Sequence, residues 1–206
     1  MVTFDKTGFI PRFILYFSSQ NKHRVNTAYY NQIANSTAHR PIRDLLSGQV
    51  LNDKTLLPDL LTIAFDVNDK NHHKACWVLE LVFEAKIEWI APHLDAFCKA
   101  LSHFTNESAM RPISKICQFA SHYDQEHTQF LTPDYIEQIM EACFDWLINP
   151  ETKVATKAYS MRTLYILGKK EDWVYPELIR ILSEDSAKNT AAYKAAAKDI
   201  LKRINK

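Results

Sequence analysis

The chain has 206 residues, of which 47% are hydrophobic and 24% are charged. These proportions are typical of folded domains and argue against intrinsic disorder. The chain contains three glycines, whereas average usage of about 7% would give roughly fourteen. So few glycines exclude a dinucleotide-binding fingerprint and a glycine-rich phosphate-binding loop.

Charge is unevenly distributed along the chain. The net charge is +1 overall, with +4 in residues 1–56, −8 in residues 57–150 and +5 in residues 151–206. Nucleic-acid-binding domains usually present a continuous positive surface. The acidic middle and basic ends therefore disfavour nucleic acid as a partner, without excluding a local basic patch.

The first 54 residues have the least regular pattern. Residues 1–24 show no helical periodicity, which predicts a loose arm or a strand-like extension. Residues 27–48 predict one or two short helices, with Gly48 ending the second. We therefore assign residues 1–54 to an N-terminal arm with short helices, and residues 55–206 to the main domain.

No segment is typical of a membrane span or of an export signal. The apolar stretch GFIPRFILYF at 8–17 is interrupted by Pro11 and Arg12, and no clear small-residue cleavage site follows it. The chain nowhere approaches the roughly 20 apolar residues needed to span a bilayer. We predict a cytoplasmic protein without a membrane partner.

From residue 55 onward, apolar residues recur at spacings of three and four, which is typical of amphipathic helices. The clearest helix start has Thr132 as N-cap, followed by Pro133 and by Asp134 at the positive end of the helix dipole. Gly168 is expected to end a later helix in the left-handed conformation. Helices are predicted near residues 55–67, 71–86, 88–104, 107–122, 132–148, 152–168, 172–184 and 189–204.

The sequence also resembles itself. KIEWIAPHLDAF aligns with KEDWVYPELIRI at an offset of 84 residues, which places Trp89 on Trp173 and Pro92 on Pro176. Half of this offset lies within the roughly 40–47-residue period of two-helix repeats. Four helix pairs fit, at residues 55–86, 88–122, 132–168 and 172–204.

The segment ETKVATKA at 151–158 resembles the start of the second helix of a HEAT repeat, although Ala155 stands where an arginine is usual. With the internal offset, this resemblance implies an all-α, HEAT/armadillo-like α-solenoid of about four antiparallel helix pairs. Such a fold implies a role in recognition on an extended concave surface.

A narrower resemblance involves FDVNDKNHHKACWVLELVFE, APHLDAF and AMRPISKIC. These segments are similar to a family of short helical proteins that carry the label adenylosuccinate lyase. True lyases of that superfamily have a serine-containing SSxMPxKxN loop, and SSQNK at 18–22 shares only the paired serines. The resemblance thus implies a lyase activity that no motif of the sequence supports.

The stretch HHKACWVLELVFEAK at 72–86 places two histidines and a cysteine within five positions. Its helical periodicity predicts that one face is buried, namely Ala75, Cys76, Leu79, Val82 and Phe83. His72 and Cys76 can share a face, but two ligands do not make a zinc site. We predict no metal and no cofactor.

The other candidates for catalysis are equally weak. All four cysteines stand in apolar helical contexts without a CxxC pair, which predicts reduced, buried thiols: Cys76, Cys98, Cys117 and Cys143. The segment SHYDQEHTQ at 121–129 is predicted to be a loop and lacks the HExxH spacing of a helical zinc site. The sequence has no enzyme signature, which favours a non-catalytic protein.

The second helix of each pair is expected to present a polar face to a partner. The exposed positions on the second helix of the first pair can be transferred to the later pairs by adding the repeat offsets. This transfer gives the candidate partner-binding residues: His73, Trp77, Glu80, Glu84, Arg111, Ser114, Gln118, Lys198 and Lys202. The same transfer places Thr156, Ser160 and Thr163 on this face. Trp77 and Arg111 are residue types that often anchor interfaces, although a helix tryptophan also commonly packs against a neighbouring helix.

We therefore expect a protein-interaction scaffold or adaptor that binds an unidentified protein on its concave face. Two alternatives stay open. One is a nucleic-acid-binding or DNA-repair helical-repeat protein, which the charge pattern disfavours. The other is the lyase activity that the narrower resemblance implies.

Overall fold

The computed structural model describes residues 25–185 and 190–206, and all regular secondary structure in these residues is helical. Ten α-helices follow in chain order: α1 (Thr27–Ala34), α2 (Arg40–Asn52), α3 (Leu57–Phe65), α4 (His72–Ala85), α5 (Leu94–Ala100), α6 (Glu107–Glu126), α7 (Pro133–Ile148), α8 (Val154–Leu167), α9 (Val174–Asp185) and α10 (Ala191–Ile204). Three short 3₁₀ helices lie at Lys54–Leu56, Ile87–His93 and Leu101–His103. The expected arm at residues 1–24 lies outside the described residues.

The helices alternate between two layers. Helices α2, α4, α6, α8 and α10 form the second-helix layer, in which each helix packs against the next. Helices α1, α3, α5, α7 and α9 form the first-helix layer. Neighbouring helices pack along one another more extensively in the second-helix layer than in the first-helix layer. In helical-repeat arrays of this kind, the second helices are expected to line the concave surface.

The architecture confirms the predicted all-α solenoid. One apolar cluster runs from α1 to α10, and the five residues predicted to face inward from α4 are all fully buried. The predicted start of α7 is also confirmed, because the Thr132 side chain accepts a hydrogen bond from the backbone N–H of Tyr135. Pro133 and Asp134 occupy the first turn, as expected. The predicted boundary after residue 54 stays a prediction, and α2 on its N-terminal side packs against α4.

Two predicted helices have different bounds. The single helix expected at 88–104 is a 3₁₀ helix, a short α5 and a second 3₁₀ helix. Pro92 explains the difference, since it lacks an N–H and its ring clashes with the preceding turn of an α-helix. Helix α6 continues to Glu126, so the predicted loop at 121–129 is mostly helical. Asp124 is buried there and accepts a hydrogen bond from the backbone N–H of Leu131.

The two glycines expected to end helices do not do so as predicted. Helix α2 passes through Gly48 to Asn52, which buries Val50 completely. Gly168 follows α8 with φ −61°, in the right-handed region and not the left-handed one. Close packing accounts for Gly168, because a Cβ there would lie 2.5 Å from Cε1 of Tyr175.

These two glycines give a matched test of the packing. Gly168→Ala should lower the free energy of unfolding by about 1–3 kcal/mol, because the Tyr175 ring is held by a hydrogen bond from its hydroxyl to the Tyr165 carbonyl. Gly48→Ala should be neutral or stabilise by up to about 1 kcal/mol, because a Cβ there meets nothing within 4 Å. Urea denaturation of both variants measures the difference. Equal effects would contradict the described packing at Gly168.

Candidate functional site

A cleft crosses four consecutive helices of the second-helix layer. It has a volume of about 350 Å³ and is lined by Ala38, Arg43, Trp77, Glu107, Ser108, Arg111, Lys153 and Ala155. Arg43 comes from the first turn of α2 and Trp77 from α4, whereas Arg111 comes from α6. Lys153 immediately precedes α8. We call this feature the Trp77 cleft.

Trp77 joins two repeats at the wall of the cleft. Its indole Nε1–H donates a hydrogen bond to the Ser108 carbonyl oxygen at 2.8 Å, which fixes α4 against the start of α6. The His73 ring packs edge-on against Trp77, with ring centroids 5.1 Å apart. Burial lowers the pKa of His73 below its usual value, and the nearby charge of Lys74 adds to this effect. Trp77 is thus half-buried, both packed between helices and open to the cleft.

A buried carboxylate lies between the same helices. The Glu80 side chain is only 3% exposed, and its Oε1 accepts a hydrogen bond from Lys115 Nζ at 2.9 Å. Its Oε2 lies 3.9 Å from Arg43 Nη1 and 3.8 Å from Arg111 Nη1. Within the described part of the chain, Oε2 accepts no hydrogen bond. Three cations from the two flanking helices therefore surround one carboxylate.

Lys115 also bonds to Glu84. Its Nζ lies 3.1 Å from Glu84 Oε1. Desolvation by itself lowers the pKa of Lys115, but the hydrogen bonds and charges of Glu80 and Glu84 outweigh it and raise this pKa above its usual value. Lys115 therefore remains protonated and is the principal counter-ion of the buried carboxylate.

Several residues predicted to be exposed are buried. Glu80 and Ser114 are enclosed because α4 and α6 each pack against neighbours on both sides. The Ser114 hydroxyl donates a hydrogen bond within its own helix, to the Arg111 carbonyl. The corresponding α8 residues are also fully buried, contrary to expectation: Thr156, Ser160 and Thr163.

The remaining predicted residues are spread over the surface. Glu84 is exposed beside Lys115, and Gln118 is half-buried further along α6. Lys198 and Lys202 are exposed on α10, outside the Trp77 cleft. Of the nine candidates, the cleft lining includes Trp77 and Arg111, with His73 and Glu80 directly behind them.

The sequence prediction missed two cationic residues of the cleft. Arg43 lies in the segment assigned to the N-terminal arm, and Lys153 precedes α8. The 34-residue step from Trp77 to Arg111 also leads back from Trp77 to Arg43. Extending the repeat register by one step would therefore have found Arg43. No comparable signal marks Lys153.

Charge separates by layer. The second-helix layer carries eleven basic and seven acidic residues, a net charge of +4. The first-helix layer carries two basic and nine acidic residues, a net charge of −7. Helix α7 alone contributes four of the nine acidic residues of the first-helix layer. This difference between the two layers is not visible in the distribution of charge along the sequence.

The predicted burial of the cysteines is confirmed. Burial raises the pKa of the Cys98 thiol to about 12, with a contribution from Asp95. Burial also raises the pKa of Cys76, whose thiol donates a hydrogen bond to the Ala64 carbonyl. These thiols are protonated and are poor nucleophiles at neutral pH.

In the described residues, the remaining histidine and acidic side chains do not cluster into a candidate metal site. Among residues 25–185 and 190–206, no group of three histidine, cysteine or acidic side chains is placed to hold a metal ion. Asp124, within the segment that was predicted to be a loop, forms an ion pair with Lys170. In the same residues, no helix combines the length and apolar character needed to cross a membrane.

The fold and this site define the chain as an α-solenoid. It matches the model of the HEAT repeat domain family over residues 29–204, which is most of its length, and it therefore belongs to that family. HEAT repeats generally serve as scaffolds for protein interactions. Searches among curated proteins and among solved structures gave no significant match. Nothing in these comparisons supports the narrower resemblance to proteins labelled adenylosuccinate lyase.

The buried ion pair of Lys115 with Glu80 should contribute more to stability than the exposed ion pair of Arg40 with Asp44. Lys115→Ala should lower the free energy of unfolding by about 2–3 kcal/mol, because the buried carboxylate loses the cation that hydrogen-bonds to it. Arg40→Ala is the control, since its ion pair with Asp44 is exposed and should contribute nothing measurable. Urea unfolding of both variants tests this difference. A Lys115 variant as stable as the control would contradict the account.

The buried thiols predict slow chemical modification. An aromatic disulfide reagent should label none of the four cysteines in the folded protein at pH 8, and all four after denaturation. Absorbance of the released thiolate measures the extent of labelling. Rapid labelling of a thiol in the folded state would show that the protein opens or that the described burial is wrong.

Proposed function

We propose that this chain is a non-catalytic interaction module that binds a protein partner in the Trp77 cleft on its concave face. The observation that carries the proposal is the position of the cleft, which crosses four consecutive helices of the second-helix layer. A binding site built from several repeats is the way in which solenoids recognise extended ligands.

The residue types in the cleft support this function. Tryptophan and arginine are enriched among the residues that dominate interface energies. Trp77 is held by its hydrogen bond to Ser108, so little side-chain freedom is lost when a partner packs against it. Arg111 remains 45% exposed and has donors available for a partner.

The size of the cleft favours a short segment of the partner. A volume of about 350 Å³ is at the small end of ligand pockets and accommodates a few side chains of an extended peptide. We propose that the cleft anchors such a segment and that the surrounding second-helix layer provides the rest of the interface. In this proposal, Gln118, Lys198 and Lys202 contribute only where the partner extends beyond the cleft.

A double substitution tests the proposal. An affinity pull-down with mass spectrometry identifies the partner, which is then purified for calorimetric titration. Trp77→Ala with Arg111→Ala should weaken binding about 100-fold, because it removes two anchors of the cleft. The control is Trp173→Ala with Arg180→Ala, which removes an exposed tryptophan and arginine near α9.

Thermal unfolding of each variant separates loss of contact from loss of fold. The proposal requires a folded cleft variant that has lost affinity and a control that binds like the wild type. A partner that binds the folded cleft variant with unchanged affinity would remove the Trp77 cleft from consideration.

A further inference from the structure

We infer that the segment bound in the Trp77 cleft is acidic, with carboxylate side chains that pair with Arg43, Arg111 and Lys153. This partner chemistry rests on the proposed function and adds the kind of ligand to it. Four observations support it: the charge of the lining, the unused donors of the arginines, the electrostatics of the helix ends and the difference in charge between the layers.

The lining has an excess of positive charge. It includes three cations and one carboxylate, that of Glu107. The Glu107 carboxylate is already occupied, because its Oε2 accepts a hydrogen bond from the backbone N–H of Lys153 at 3.1 Å. The charge that remains available to a ligand is therefore positive.

The two arginines retain hydrogen-bonding capacity. Each guanidinium has five N–H donors. Within the described residues, neither Arg43 nor Arg111 donates a hydrogen bond, and each lies nearly 4 Å from Glu80 Oε2. At that distance the ion pair has electrostatic attraction without a hydrogen bond. A ligand carboxylate can take up the donors that face the cleft, chiefly those of Arg111, which is 45% exposed whereas Arg43 is 15% exposed. Lys115 continues to hold Glu80 at 2.9 Å.

The first turns of the surrounding helices add to the positive electrostatic potential of the cleft. Acidic residues normally stabilise the first turn of a helix, where the macrodipole is positive. Helices α2, α4 and α8 have no acidic residue in their first turns, whereas the first turn of α6 holds Glu107. Arg43 instead adds a positive charge to the first turn of α2. A positive side chain at the positive end of a helix dipole lowers helix stability. Such a residue is expected at a functional site, where binding and not helix stability determines the sequence.

The difference between the layers favours an acidic peptide over a nucleic acid. Of the net charge of +4 on the second-helix layer, +3 lies on α10 outside the cleft, so the attraction of an acidic segment to the cleft comes from the cations of its own lining. The net charge of −7 on the first-helix layer repels a long polyanion that extends past the edge of the array. A short acidic segment seated in the cleft avoids that repulsion. The apolar wall that Trp77 provides suits an aliphatic side chain next to the carboxylates.

The test uses the full chain and a defined probe, a capped hexapeptide of four glutamates and two leucines. Nuclear magnetic resonance follows the Trp77 indole N–H, identified by its loss in Trp77→Phe, while the peptide is added. We expect a saturable shift with a dissociation constant below about 1 mM. A hexapeptide with lysine in place of glutamate should cause no saturable shift.

Two matched double variants locate the interaction. Arg111→Gln with Lys153→Gln removes two exposed charges from the cleft, and should weaken peptide binding about tenfold or more. Lys198→Gln with Lys202→Gln removes the same charge from α10 outside the cleft, and should change binding less than about twofold. Arg111→Gln removes one of the three cations around Glu80, but both pairs leave Arg43 and Lys115 in place. Thermal unfolding of both double variants checks that the fold is kept.

Three outcomes would overturn the inference. One is the absence of a saturable Trp77 shift, and another is an equal loss of binding in both double variants, which would indicate diffuse attraction only. The third is tighter binding of a short DNA duplex through the same cleft residues, with steep salt dependence, which would assign the cleft to nucleic acid.

Failure of the proposed function is distinct, since a purified partner would then bind the Trp77→Ala, Arg111→Ala variant normally. If that variant loses the partner but the acidic hexapeptide does not compete, only the acidic chemistry is wrong.

Discussion

The structure depends on the enclosure of each second-layer helix between its neighbours. Helix α4 packs against α2, α3 and α6, so two of its polar side chains, His72 and Glu80, are removed from water. Glu80 shows the consequence, because a buried carboxylate costs several kcal/mol unless cations and hydrogen bonds compensate for it. The compensation comes from Arg43 on α2 and from Arg111 and Lys115 on α6. One ionic cluster therefore links three successive helices of the layer.

The same cluster also positions side chains of the Trp77 cleft. Arg43 from α2 and Arg111 from α6 are attracted to Glu80, and this attraction holds both side chains in the lining of the Trp77 cleft before a ligand arrives. The hydrogen bond from Trp77 to Ser108 fixes the wall of the cleft in a similar way. Preorganised side chains lose less entropy on binding, which increases the affinity that a small cleft can reach. The packing between repeats and the recognition surface thus share residues.

Much of the fold could be predicted from the sequence because local signals agree with the tertiary structure. Apolar periodicity and the cap at Thr132 mark helices that form as expected, and the 84-residue offset reveals the repeat. The burial of Glu80 could not be predicted, since periodicity within α4 does not show that α2 and α6 cover its polar face. The charge difference between the layers could not be predicted either. It becomes visible only when alternate helices are grouped into layers, and the grouping comes from their packing. Arg43 was missed because α2 was not recognised as part of the array.

The central claim is that a partner binds in the Trp77 cleft on the second-helix layer. Hydrogen–deuterium exchange of the chain, alone and with its purified partner, tests this claim most directly. A partner bound in the cleft should slow exchange in the first turns of α2, α6 and α8 and around Trp77, while α7 and α9 exchange as before. Protection confined to α7 and α9 would contradict it, and would place the interface on the acidic first-helix layer.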